Sequence, residues 1–300
     1  VAPPADDAAC GLAQLDEKLT ALADKVAAVV VEPLVQGAAG MLMQPPGYLA
    51  GVAELCRKHD TLLVSDEVAT GFGRTGRMFA CEHEDVAPDI MCLGKGITGG
   101  YMPLAATLCS DAIAQAFEGE LHEMRTLYHG HTYTGNPLAC AAALASLDIF
   151  ETTDLIKQVN RKAERLAERL AELGDHECYP FVHEVRQRGL MVGIELQLPL
   201  PRGEGRGEGA FDETNSDTPP HLTSPQGGGT GLGDFGESPF MMHPGSRRLG
   251  YEVCDACRPK GVMIRPLGDV IILMPPLAIS DEHLDRLADV VIETIGELRP

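Results

Sequence analysis

Lys95 stands between two glycines in Leu93-Gly94-Lys95-Gly96, at the end of a short apolar run. Glycine on either side removes bulk and admits backbone angles closed to other residues, so a ligand can press close. Another apolar run ends 29 positions earlier (95 − 66) on the acidic pair Asp66-Glu67. A lysine amine that forms imines is a covalent catalyst, most of all with pyridoxal phosphate (PLP), whose pyridine nitrogen wants an acidic partner. The plainer alternative is a surface lysine in a turn, and the surroundings decide against it.

Three other stretches carry chemistry. Gly71-Phe72-Gly73-Arg74-Thr75-Gly76 comes after a strand-like run and matches G-x-G-x-x-G. A dinucleotide fold would need a helix to open there at once. RMFACEHEDVAP has no clear helical period, so a glycine-rich active-site loop offering Arg74 fits better. Tyr128 to Asn136 is crowded with hydroxyls and imidazoles directly before a helix, a setting that suits a phosphate. His129 and His131 have no nearby carboxylate or cysteine to complete a metal set, so no metal is expected. Arg265 lies in VMIRPLGD, where an arginine either pairs with a structural acid or forks onto a substrate carboxylate.

These residues need a frame. VAAVVVEP (26–33), TLLVSDEV (61–68) and DIMCLGKG (89–96) read as strands buried on both faces, with a helix from Tyr48 to His59 between the first two. That rhythm implies an α/β unit with a parallel sheet, whose ligands sit outside the carboxyl ends of the strands. Asp66, Glu67 and Lys95 all fall at such ends. Residues 137–151 read as a buried alanine-rich helix and 154–173 as a charged amphipathic one, which places a domain boundary near 150. EVRQRGLMVGIELQL and VMIRPLGDVIILMPPL read as strands, and helices are expected at about 246–260 and 280–298, the build of a smaller α+β domain. Between 199 and 245 stand 11 glycines and 7 prolines, a composition expected of a flexible insertion.

The 300 residues are 44% hydrophobic and 23% charged, as in a soluble globular protein. A net charge of −20 argues against nucleic acid as a partner. No apolar stretch approaches the roughly 20 residues of a membrane span. VAPPADDAAC has neither a basic n-region nor an apolar core, so no signal peptide is read there. Nine scattered cysteines, several in apolar runs (Cys92, Cys109, Cys140), suit buried free thiols in a reducing compartment such as the cytoplasm. Cys254 and Cys257 read as one face of a helix.

EPLVQGAAG, SDEVATGFGRTG, PDIMCLGKGITGGYMPLAAT, HGHTYTGNPLACAAAL and IRPLGDVIILMPPL, in that order, resemble the class III, fold-type I PLP-dependent aminotransferases. The resemblance covers nearly the whole chain outside the insertion and the first twenty or so residues. Ornithine- and GABA-type members usually carry Gln three residues after the cofactor aspartate, and ornithine-type ones carry Glu in the QGEAG-like segment. Here Ala69 and Ala38 stand in those places, as in the branch that aminates 8-amino-7-oxononanoate to 7,8-diaminononanoate in biotin biosynthesis. The resemblance implies that Lys95 holds PLP and shuttles a proton, and that Asp66 pairs with the pyridine nitrogen. It implies that His131 and Thr132 bind the phosphate across a homodimer interface, and that Gly130 and Arg265 contact substrate. The amino donor it implies is adenosylmethionine or lysine, and another ω-aminotransferase specificity stays open.

One departure matters. In the family a long segment before the VEP strand supplies a phosphate-binding Gly-Ser turn and aromatics around the ring and the substrate. Nothing here corresponds to it, and the sequence has no tryptophan, so the chain is expected to be the carboxy-terminal part of a longer protein. A non-catalytic fragment is the alternative.

Overall fold

The computed structural model describes residues 7–22, 25–198 and 247–299. The amino-terminal half runs α1 (Ala8–Leu22), β1 (Ala28–Val31), β2 (Val35–Gln36), β3 (Leu42–Met43), α2 (Tyr48–Lys58), β4 (Leu62–Asp66), β5 (Ile90–Leu93), β6 (Ala106–Cys109) and α3 (Asp111–Ala116). Then come α4 (Pro137–Thr152), α5 (Leu155–Leu170), β7 (Val182–Arg188), β8 (Met191–Leu196), α6 (Leu249–Cys257), β9 (Arg265–Leu267), β10 (Val270–Leu273) and α7 (Asp281–Gly296). The expected insertion lies outside the described residues.

The first sheet has the order β1-β4-β5-β6. β1, β4 and β5 are parallel, with Val31 opposite Ser65 and Asp66 opposite Cys92, so their carboxyl ends share one edge. β6, a strand that the sequence reading did not identify, runs antiparallel to β5. α2 covers this sheet with Tyr48, Leu49, Val52, Ala53 and Cys56 buried, and its last turn carries Arg57 and Lys58 against the helix dipole. α4 begins where Asn136 Oδ1 accepts the Ala139 N–H at 3.0 Å and Pro137 fills the first turn.

The expectation that α4 is buried is corrected. Only Ala139 and Ala143 are buried along it, while Leu138, Leu144 and Ile149 are exposed. Its apolar residues encircle the helix, and only the face packed on the turn after Lys95 is covered here. The cysteine expectation is corrected likewise. All nine thiols are free, but Cys109 is exposed and Cys92 and Cys140 are half-buried.

The second sheet is the antiparallel β7-β8-β10-β9. One face, with Val192, Ile194, Leu196, Ile271 and Leu273, packs under α5, α6 and α7 as the largest core. The opposite face presents Met191 to Leu34, Val35, Met41 and Ala80 of the amino-terminal half. Cys254 and Cys257 sit buried on α6, and burial first, then each other's proximity, pushes the Cys254 thiol up to about 12. No helix among the described residues is long and apolar enough to cross a membrane.

α5 and α7 are joined by a ladder at four-residue spacing: Arg161–Asp281, Arg165–Asp285 and Arg169–Asp289. The arginine hydrogen bonds hold Asp281 and Asp285 below the ordinary carboxylate range. Exposed pairs contribute little singly and are screened by salt. Asp285→Asn is therefore expected to lower Tm by about 1–3 °C at low ionic strength and by less near 1 M salt. Because these carboxyls titrate below their unfolded value of roughly 4, the contribution is present above that pH and lost as pH falls through the folded value. Thermal melts of both proteins at two salt levels and at two pH values, about 7 and about 3, check this.

Candidate active site

Two residues past β5, Lys95 adopts φ 42°, the left-handed region that a non-glycine residue enters at a cost. Neighbouring contacts over-determine that turn. Ile97 N–H donates to Gly94 O at 3.1 Å and Gly99 N–H to Gly96 O at 3.0 Å. The Thr98 hydroxyl donates to Met102 O at 2.6 Å. From below, Phe72 lies so close to Gly96 that a Cβ there would sit 2.8 Å from Phe72 Cβ. Gly96 is thus required by packing, and Lys95 is left exposed at the mouth of a cleft of about 1050 Å³ lined by Tyr101, Met102, Pro103, His131, Tyr133 and Asn136.

Asp66 ends the neighbouring strand and is half-buried. Its Oδ1 accepts the Val68 N–H at 3.0 Å. It lines a separate groove of about 350 Å³ with Glu32, Gln36 and Tyr48. In this chain the amine and the carboxylate therefore share one edge of the sheet but open on different cavities.

Glu67, paired with Asp66 in the sequence, has another task. It is fully buried, and its carboxylate accepts the Thr70 hydroxyl at 2.6 Å, the Ala80 N–H at 3.0 Å and the Cys81 N–H at 2.8 Å. Its own N–H donates to Cys92 O at 3.0 Å. Glu67 ties the ends of β4 and β5 to the segment at 80–81. Burial first, and the Glu67 charge next, push the Cys81 thiol up to about 12.

The glycine-rich loop does not line the cleft. Its glycines allow close approach: a Cβ on Gly73 would meet Ile156 at 2.9 Å, and one on Gly76 would come even closer to Asn160. After the loop the chain makes a short 3-10 turn (Ala80–Glu84), not the helix a dinucleotide site needs. Arg74 is half-buried, and its guanidinium donates to Pro275 O at 2.5 Å, so the loop joins the two halves of the chain instead of offering a cation to solvent.

Gly130, His131 and Thr132 are exposed on the loop before α4. The His131 N–H donates to the Thr134 hydroxyl at 2.9 Å, and His131 Nδ1 accepts the Tyr133 N–H at 3.0 Å. His131 shares the cleft with Lys95. Arg265 is exposed at the outer strand of the second sheet, opposite Ile272. It lines neither that cleft nor the groove beside Asp66. Among the described residues no group of three or more His, Cys, Asp or Glu is placed to hold a metal.

The chain carries the residue types that PLP needs at its reactive end, on two neighbouring strand ends that open on separate cavities. A strained lysine between close-packed glycines faces a cleft, and a half-buried carboxylate ends the next parallel strand. Lys95 and Asp66 would hold the aldehyde and the ring nitrogen, with His131 and Thr132 reaching the phosphate.

The aminotransferase class-III family model matches residues 4–295. An adenosylmethionine-8-amino-7-oxononanoate aminotransferase of Aquifex aeolicus is 45% identical over 287 residues, covering 96% of this chain and 54% of the relative. The crystal structure of the Methanocaldococcus jannaschii enzyme of that name superposes with TM-score 0.76 at 39% identity, over 95% of this chain and 57% of that one. A PLP-bound amine transaminase from an uncultivated Pseudomonas species gives 0.75 at 36% identity, over 96% and 56% of the two chains. The chain thus spans about half the length of the relatives it matches.

Glu67→Ala leaves the Ala80 and Cys81 N–H groups buried without an acceptor, which should cost on the order of 3 kcal/mol. Glu67→Gln keeps the shape and should cost less. Denaturant unfolding of the two variants checks the order; equal stabilities would remove the carboxylate from this role.

Proposed function

Because the chain belongs to the aminotransferase class-III family, we propose that the protein is a PLP-dependent aminotransferase that converts 8-amino-7-oxononanoate to 7,8-diaminononanoate for biotin synthesis. The names of the relatives and the alanines at positions 38 and 69 support the acceptor. Adenosylmethionine or lysine would be the amino donor. The observation that carries the reading is Lys95 itself, held at φ 42° at a strand end and facing the cleft it shares with His131.

The chemistry the cofactor supplies when bound is an aldehyde for amines and a ring that accepts electrons. Lys95 Nζ would take a proton from the amine-bearing carbon and return one. Asp66 would keep the ring nitrogen protonated, with Glu67 fixing the backbone that presents it. Gly130 and Arg265 would seat the substrate, Arg265 by forking onto its carboxylate.

The amino-terminal 150 residues would belong to the large PLP-binding domain and residues 151–300 to the small one, meeting between α4 and α5. The protein would be a cytoplasmic homodimer, His131 and Thr132 serving the partner's cofactor. Exposed Tyr101, Tyr133 and Leu138 in the cleft lining support this, since contiguous apolar surface marks an interface.

Borohydride treatment of the whole gene product loaded with PLP, with peptide mapping afterwards, should place a pyridoxyl mass on Lys95, and Lys95→Ala should lose it and essentially all turnover. A colourless wild type, or full activity in the alanine variant, would end this reading. Turnover with other ω-amino acceptors but not with the oxononanoate ketone would overturn the substrate alone. Sedimentation should give a dimer, and Tyr133→Asp should weaken it.

A further inference from the structure

Arg186 is nine-tenths buried, and no part of the proposed chemistry uses it. On β7 it reaches into the amino-terminal half, where Nη2 donates to Gly40 O at 2.9 Å. Its Nη1 is held at 2.5 Å by both Glu184 and Glu195. Its Nε is buried with no hydrogen-bond partner, so the grip on Gly40 is kept although one N–H goes unsatisfied.

The register across the second sheet gives this grip a consequence. Arg186 lies opposite Gly193, Gly193 opposite Ile272, and Ile272 opposite Arg265. Cross-strand partners project to the same face. Arg186 and Arg265 are thus the two ends of one row, three strand spacings or roughly 14 Å apart. The middle of that row is closed by the turn at 37–41: a Cβ on Gly193 would lie 2.8 Å from Met41 Cβ and 3.2 Å from Gly40 O. Gly40, at φ 97°, packs on Val270 of β10.

We infer that Arg186 is a positioning residue: by pinning Gly40 O to this row, it sets the separation between the Gly37–Gly40 turn and Arg265, and so the dimensions of the acceptor's carboxylate end. The inference rests on the reading of Arg265 as the carboxylate-binding residue. With alanine at positions 38 and 39 the turn carries no side-chain acid, so its backbone, and not a side chain, would form the wall on that side. Glu195 and Glu184 act through Arg186, fixing the direction of its fork.

Two measurements on the whole PLP-loaded gene product test this: hydrogen exchange of the Gly40 and Met41 amides, which donate to Gly37 O, and calorimetric binding of nonanoate. Arg186→Lys should speed exchange at both amides at least tenfold and weaken nonanoate about tenfold. Arg265→Met should weaken nonanoate as much and leave the exchange at wild-type rates. If Arg186→Lys leaves exchange or nonanoate affinity at wild-type values while Arg265→Met loses binding, the positioning role is wrong and the reading of Arg265 survives. If Arg265→Met binds nonanoate as wild type does, the reading of Arg265 fails and takes the inference with it. Should Arg186→Lys not fold, Glu195→Gln, which keeps the bond to Gly40 O, should show both effects at reduced size, and wild-type values in it would overturn the role.

Discussion

Parallel pairing of β4 with β5 is the constraint on which the site is built. With Asp66 opposite Cys92, two residues 29 positions apart in sequence (95 − 66) leave the sheet at one edge. Strand ends position side chains more precisely than free loops do, because a hydrogen-bonded ladder fixes them. The buried Glu67 carboxylate extends that ladder past its last regular pair by capturing N–H groups of the 80–81 segment. Asp66 is thereby presented from a backbone tied on both sides.

The strained turn at Lys95 depends on the same framework. A left-handed lysine persists only where its surroundings over-determine it. Phe72, itself at φ 56° and buried, supplies the floor by packing on Gly96. The loop that carries Phe72 is held by Asn160, whose side-chain amide donates to Gly76 O at 3.1 Å, and by Arg74 on Pro275 O. Gly71 to Gly76 is therefore a joint that couples the lysine to the carboxy-terminal half, and its glycines serve contact with helices rather than with phosphate.

Much of this frame was legible in the residues. Apolar runs ending on Glu32, Asp66 and Lys95 gave three strands within a few residues of β1, β4 and β5, and the charged period of 154–173 gave α5. β6 was not read at all: Ala106–Cys109 is too short a run to stand out, and its antiparallel pairing with β5 leaves no mark in the residues. Nor were the roles of Glu67 and Arg186. The contacts that define those roles are to backbone groups, the N–H groups at 80–81 for Glu67 and, 146 positions away, Gly40 O for Arg186, so no side-chain pattern could announce them. The burial of α4 was over-read for a related reason: composition reports how much apolar surface a helix carries, not whether a neighbour covers it.

That uncovered surface has its own logic. Tyr101, Leu121, Met124, Tyr128, Tyr133 and Leu138 are each more than 70% exposed, all within the segment from the Lys95 turn to the start of α4. At about 25 cal/mol per Å² of apolar area, covering six such side chains would stabilise the protein by several kcal/mol, a large share of a typical folding free energy. Three of the six, Tyr101, Tyr133 and Leu138, line the cleft that holds Lys95 and His131, so whatever covers them also closes that cleft. Asp66 opens instead on the separate groove that it shares with Tyr48, Gln36 and the exposed Val30. The amine and the carboxylate thus face separate cavities in this chain, each bordered by uncovered apolar side chains.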